Sequence, residues 1–169
     1  MLELNFSCPH MCIEGSGHHV GKAFDLIEKF TATVKNRVAI PVMAKMTPNI
    51  TDMTEPALYA KKGGADAISA INTLGGPNPE LSNQFGGLSG AAIFPSTVDA
   101  ITRLRKVVGL PIIAMGGIRG AADIRRLEAI DSGLFEQSKT ETGLAASGHT
   151  DDDRVCIQVL GIIENQIVR

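Results

Sequence analysis

Apolar positions along the chain fall into short β-like runs, each followed by a polar or glycine-rich stretch and then by apolar residues at helical spacing. Leu2 to Phe6 is the first run, and Ala23, Phe24, Ile27, Phe30 and Val34 then predict a helix with one apolar face. Val38 to Met46 predicts the second strand. Pro41 cannot donate to a ladder, so regular pairing is expected to begin after it. Asp52-x-x-Glu55 has the form of a capping box opening the next helix, which should end at Lys61-Lys62-Gly63-Gly64. Ala67 to Asn72 predicts the third strand, and the segment 74–90 is too rich in Gly, Pro and Asn for a helix and reads as a long loop.

Ser96-x-x-Asp99 predicts the start of a further helix carrying Val98, Ile101, Leu104 and Val108 on one side. Leu110 to Met115 follows as the fourth strand, ended by Gly116-Gly117, and a helix is expected from Ala121 to Ile130. The period then breaks. Residues 134–154 are polar and read as a flexible insertion, with a fifth strand at Val155 to Val159 and a short helix from Gly161 onward.

Strands alternating with helices imply an α/β fold with a parallel sheet and right-handed crossovers. A whole (β/α)8 barrel needs about 250 residues. With 169 residues, the chain is either a small open sheet or the later part of such a barrel, its first strands missing.

Composition narrows the possible functions. At 44% hydrophobic and 20% charged the chain can bury an ordinary core. Only 4% of residues are aromatic, none is Trp, and the net charge is −2, which argues against a nucleic-acid surface. No apolar stretch approaches the roughly 20 residues of a membrane span, and the first residues lack the pattern of a signal peptide, so a cytoplasmic protein is expected. Cys8, Cys12 and Cys156 match no disulfide framework, zinc site or iron–sulfur run. At least one thiol is therefore free for chemistry.

The polar residues gather where the predicted strands end. Asn5, Ser7, Cys8 and His10 follow the first, Lys45, Thr47 and Asn49 the second, Asn72 and Thr73 the third, and Gly116-Gly117 the fourth. Singly, each has an ordinary explanation: an inert core thiol, a surface charge, turn chemistry. Jointly they mark the end of a parallel sheet at which α/β enzymes build their sites. His18-His19 and Asp151-Asp152-Asp153 read as solvated loop residues rather than a metal site.

LELNFSCPH, AKMTPNITD, AINT, GGLSG and AMGGI, in that order, resemble the signatures of the FMN-dependent dihydropyrimidine and dihydroorotate dehydrogenase family, whose flavin domain is a (β/α)8 barrel. The resemblance covers Leu2 to about Gly133 and weakly Val155 to Gln166. SCPH in place of SCPN, together with AKMTPN, tilts it toward the dihydropyrimidine enzymes. It implies reduction of the 5,6 double bond of uracil or thymine, with dihydroorotate oxidation as the alternative reading and a catalytically silent barrel fragment as a third.

By that resemblance Cys8 is the catalytic acid/base at pyrimidine C5, while reduced flavin N5 delivers hydride to C6. A thiol of ordinary pKa, about 8.5, holds its proton at neutral pH yet can release it to a developing carbanion. Asn5, Asn72 and Thr73 are implied to bind the pyrimidine edge, with Ser7 beside the reacting atoms. Lys45 is implied to sit by the flavin N1/O2 region, and Gly87, Gly90, Gly116 and Gly117 to offer N–H groups to the FMN phosphate. The implied partners are a pyrimidine and an electron-donor subunit or domain carrying iron–sulfur clusters and NAD(P)H, and an oligomer is expected.

The chain also departs from the family. Leu160-Gly161 falls where a small polar pair usually completes the phosphate site, and the loop between Thr73 and Gly86 is shortened relative to the family. The expected organisation is thus barrel units over 1–133, the polar insertion over 134–154 and a degenerate last strand-helix unit over 155–169.

Overall fold

A computed structural model of the chain describes residues 1–7, 20–82, 84–131 and 155–157. The main elements begin with β1 (Leu2–Asn5), then the short turn Val20–Lys22 just before α1 (Phe24–Lys35), β2 (Val42–Lys45), α2 (Thr54–Lys62) and β3 (Ala67–Ala70). A hairpin of β4 (Leu74–Pro77) and β5 (Phe85–Leu88) follows, then α3 (Phe94–Val107), β6 (Ile112–Ala114), α4 (Ala121–Asp131) and β7 (Val155–Ile157).

The main sheet has five strands in the order β1-β2-β3-β6-β7, and every neighbouring pair is parallel. Each strand lies beside the next main-sheet strand in the sequence. A doubly wound sheet reverses direction at a switch point, whereas a β/α barrel advances one strand at a time. This order belongs to the arc of a barrel.

Strand alternation divides the sheet into two faces. Ala44, Ile68, Ala70, Ile112 and Ala114 pack with Ile27, Ile101, Leu104 and Leu127 in the main core between sheet and helices. Met43, Ala67 and Ile113, with Met115 against them, form a second cluster on the inward face.

Four local expectations need correction. Phe30, expected on the buried face of α1, is 39% exposed, while Thr31 is fully buried. Thr31 lies one helical turn from Ile27, and its hydroxyl donates to the Ile27 carbonyl at 2.7 Å. Gly63 marks the contact: a Cβ there would stand 2.8 Å from Thr31 Cβ and 2.6 Å from the Glu28 carbonyl oxygen, so α1 and the end of α2 touch at this point and leave no room for a larger side chain. Phe30 is rotated about 60° from Ile27 and falls outside the contact.

The capping box does not form. Asp52 Oδ1 instead accepts from the Thr54 N–H at 2.9 Å, the Thr54 hydroxyl at 2.7 Å and Arg103 Nη2 at 2.9 Å, which holds its carboxyl below the usual range. Helix α3 starts at Phe94, two residues before Ser96, because the short turn Ala91–Ile93 runs straight into it with Pro95 in its first turn. The predicted loop contains the β4–β5 ribbon, registered Leu74↔Leu88 to Pro77↔Phe85. A ribbon with no third strand tolerates the Gly and Pro that would weaken a central strand.

The N-terminal ends of the strands are tied by charge. Asp66 Oδ2 accepts the Val42 N–H at 2.7 Å and pairs with Lys35, and Lys61 Nζ donates to the Val108 carbonyl at 2.6 Å, covering the end of α3. Among the described residues no helix is long and apolar enough to cross a membrane.

Candidate active site

The opposite end of the sheet carries the polar residues. Main-chain bonds run past the strand ends and lace the following segments together: Phe6 N–H to the Lys45 carbonyl, Met46 N–H to Ser69, Asn72 N–H to Met46 and Ile71 N–H to Met115. The residues just beyond β1, β2, β3 and β6 are therefore held as a unit.

Asn5, Ser7 and Asn72 meet there. The Ser7 hydroxyl, buried, donates to Asn5 Oδ1 at 2.8 Å and accepts from Asn72 Nδ2 at 2.6 Å. Asn5 Oδ1 also takes the Ser7 N–H at 3.1 Å, and Asn72 Oδ1 takes the Thr73 N–H at 2.8 Å. Both amides are thereby oriented, and none of these bonds engages the Asn5 Nδ2 donors.

Thr73 lies at the root of the hairpin. Its carbonyl accepts from Asn49 Nδ2 at 3.0 Å, while Asn49 Oδ1 accepts the Gly75 N–H at 2.7 Å, so Asn49 clamps the start of β4 to the loop after β2. Gly87 stands in the β5 ladder opposite Gly75, and a Cβ on it would lie 2.9 Å from Thr73 Oγ1. It packs against Thr73 and the hairpin.

Gly90 and Gly117 meet at the start of α3. A Cβ on Gly117 would lie 2.6 Å from the Phe94 backbone nitrogen and 2.8 Å from the Gly90 carbonyl oxygen. Gly90, Gly116 and Gly117 all have positive φ, +81°, +107° and +74°, which a side chain would strain. Thr97, buried on the first turns of α3, donates to the Gly116 carbonyl at 2.8 Å and holds that turn against the helix. No side chain caps the N-terminus of α3, but the Phe94 N–H is bonded to the Ala91 carbonyl of the turn before it and Pro95 has none to offer. Glycine backbone gathered at such a turn leaves room for the close approach of a ligand.

Lys45 ends β2 on the inward face, its side chain 20% exposed, with its ammonium 3.6 Å from Glu3 Oε1. The sequence reading passed over Glu3, Ser69 and Thr97. Alternation in LELN was the available signal for Glu3, since its flanking leucines demand the opposite face.

Cys8, His10, Cys12, His18, His19, the insertion 134–154 with Asp151–Asp153, and Leu160-Gly161 lie outside the described residues. Among the described residues no group of three His, Cys, Asp or Glu could hold a metal ion.

Residues 1–137 match the family described as dihydroorotate dehydrogenase. The chain is 43% identical to dihydroorotate dehydrogenase A (fumarate) of Lactobacillus delbrueckii subsp. bulgaricus, over 98% of this chain and 58% of that protein. It is 40% identical to the catalytic subunit of dihydroorotate dehydrogenase B (NAD(+)) of Methanothermobacter thermautotrophicus, over 73% of this chain and 43% of that one. It is also 41% identical to the NAD-dependent dihydropyrimidine dehydrogenase subunit PreA of Escherichia coli, over 70% and 32% of the respective lengths. The chain spans about half the length of the curated dihydroorotate dehydrogenases it matches.

Proposed function

The chain belongs to the dihydroorotate dehydrogenase family, and from that membership we propose that it carries the pyrimidine- and flavin-facing end of an FMN-dependent pyrimidine dehydrogenase. The observation that carries the proposal is the Asn5–Ser7–Asn72 cluster, oriented amides and a hydroxyl at the C-terminal ends of two strands. A pyrimidine edge alternates carbonyl acceptors with N–H donors, and amide side chains match both. Bound FMN supplies the two-electron chemistry, exchanging hydride with pyrimidine C6.

The chain's own residues divide the remaining work. Gly87, Gly90, Gly116 and Gly117 offer backbone N–H groups to the phosphate, Gly87 from the hairpin, where it also backs Thr73. Lys45 sets a fixed positive charge on the inward face, where it favours an anionic reduced flavin. Asn5, Asn72 and Thr73 orient the ring, and Ser7 couples the two amides. Cys8, next in the chain after Ser7, moves the proton at C5. It gives the proton up when the ring is reduced and takes it when a dihydropyrimidine is oxidised.

Two substrates fit this reading. SCPH and AKMTPN favour uracil or thymine. The similarity to dihydroorotate dehydrogenases of both A and B types favours dihydroorotate. The B-type and PreA relatives are named as subunits, which supports a partner that passes electrons to the flavin, with iron–sulfur clusters and NAD(P)H as its carriers, and an oligomeric assembly.

The test uses the complete protein containing this chain. Bound flavin should be released on denaturation and identified as FMN, and bleaching of the oxidised flavin by dihydroorotate should be compared with reoxidation of the reduced flavin by uracil and thymine. A protein that holds no FMN, or whose flavin exchanges electrons with none of these pyrimidines, refutes the proposal.

A further inference from the structure

Glu3 is an acidic residue on the inward face of a β/α sheet, exposed itself but beside the more buried Lys45 and Ser69. Its neighbours along β1 face the helices or the loops, and Leu4 packs on the main core. The carboxylate is shared between two strands. Oε2 accepts from Ser69 Oγ at 2.8 Å, and Oε1 faces the Lys45 ammonium at 3.6 Å. Ser69 is fully buried in the middle of β3, so its hydroxyl is fixed and the carboxylate is fixed with it. Lys45 is the mobile member, a flexible four-carbon stem ending in a point charge.

We propose that Glu3, anchored by Ser69, is the positioning residue of Lys45, holding its ammonium at one point on the inward face of the sheet. This rests on the flavin reading given above. The side chains of Lys45 and Glu3 are 20% and 30% exposed, and the gap is 3.6 Å, so the pair adds little to stability. What it fixes is direction. A lysine meant to act on one side of a ring gains from a tether that keeps it from swinging to solvent, and the tether's own charge is held off by its bond to Ser69.

The sign of the effect separates positioning from simple charge. Deleting a bare negative charge near a flavin favours the anionic reduced form and raises the potential. Releasing a positioned lysine has the opposite result and mimics loss of the lysine. Potentials are measured on the complete FMN-loaded protein as wild type, Glu3→Gln, Ser69→Ala, Lys45→Met and Glu3→Gln/Lys45→Met. Glu3→Gln and Ser69→Ala should both move the potential in the negative direction taken by Lys45→Met, each by a fraction of it. Glu3→Gln should add nothing in the Lys45→Met background. Ser69→Ala is the cleanest member, because it changes no charge. A positive shift in Glu3→Gln, an equal shift with and without Lys45, or no shift in either single variant overturns the proposal.

A second arm needs no flavin. Acylation of lysines in the flavin-free protein is followed by peptide mass spectrometry, and Lys45 should react about two- to fivefold faster in Glu3→Gln and in Ser69→Ala, with Lys106 unchanged. Unchanged Lys45 reactivity in both variants defeats the tether itself. If the wild type binds no FMN, the flavin reading fails, and the acylation rates still decide whether Glu3 positions Lys45.

Discussion

Asn72 Nδ2 donates to Ser7 Oγ at 2.6 Å, joining the ends of β1 and β3 across the strand that separates them. The two residues are 65 positions apart in sequence, and their bond makes the spacing of the site depend on the register of three strands. Ser7 is buried, and its hydroxyl donates to Asn5 while it accepts from Asn72, so it links the two amides.

Replacing Asn72 by Ala should therefore act twice. The Ser7 hydroxyl loses its donor and the substrate loses an amide. Stability should fall by about 0.5–1.5 kcal/mol, the usual net worth of one hydrogen bond, since the Ser7 hydroxyl keeps its bond to Asn5. Pyrimidine turnover should fall at least about tenfold even where the protein is fully folded, since each 1.4 kcal/mol of lost orientation is a factor of ten. Thermal unfolding and steady-state kinetics on the complete protein check both effects. Unimpaired kcat/KM would remove Asn72 from the substrate-facing group.

Gly117 tests the phosphate cradle. Gly117→Ala forces a Cβ to within 2.6 Å of the Phe94 backbone nitrogen at a φ of +74°, and the start of α3 must shift to admit it. Gly90→Ala meets nothing within 4 Å and suffers only its backbone conformation, φ +81° with ψ −161°, a strain of about 1–3 kcal/mol. FMN affinity, read by quenching of flavin fluorescence, should fall more than tenfold in Gly117→Ala and distinctly less in Gly90→Ala. Equal losses would mean that strain alone, and not the shape of the cradle, governs binding.

What the sequence disclosed and what it hid have physical causes. The parallel strands were legible because runs such as AISAIN are buried on both faces, and their polar ends were legible because the apolar pattern stops there. The hairpin was hidden because its glycines and proline carry no strand propensity and only pairing reveals them. Asp52 and Ser96 looked like caps, but a local motif cannot report that Arg103 claims the first or that a preceding turn flows into the helix before the second. Thr97 and Ser69 read as ordinary core-strand or helix residues. Their partners, the Gly116 carbonyl and Glu3, are distant in the chain and become visible only when the sheet is closed around them.

Cys8 carries the strongest catalytic expectation. Cys8→Ala should reduce pyrimidine turnover by about 10²–10⁴-fold, the usual contribution of a positioned acid or base. FMN content should stay unchanged, because the proposed hold on the phosphate is by glycine backbone and gives the thiol no role. Cys12→Ala should leave the rate near wild type. If Cys12→Ala, and not Cys8→Ala, stops turnover, the proton is handled by the later thiol and the resemblance around SCPH has been misread.

The far end of the sheet gives a pH signature independent of any reaction. Asp66 accepts the Val42 N–H and pairs with Lys35, and these two contacts, the lysine's first, hold its carboxyl below the ordinary value. A carboxyl whose pKa is lower folded than unfolded binds fewer protons in the native state, so its contribution to stability is complete above the unfolded pKa, about 3.9. It is lost as pH falls through the folded value and is gone once both states are protonated. Asp66→Asn keeps a side-chain oxygen for the Val42 N–H but removes the charge. Both partners are partly exposed, so the charge contributes only about 1 kcal/mol or less at neutral pH and shrinks with added salt. Denaturant titrations from pH 7 down to about pH 3 should show the gap between wild type and Asp66→Asn begin to narrow below about pH 4. A gap that stays constant over the whole range would assign the difference to the altered hydrogen bond to Val42, since only the charge disappears on protonation.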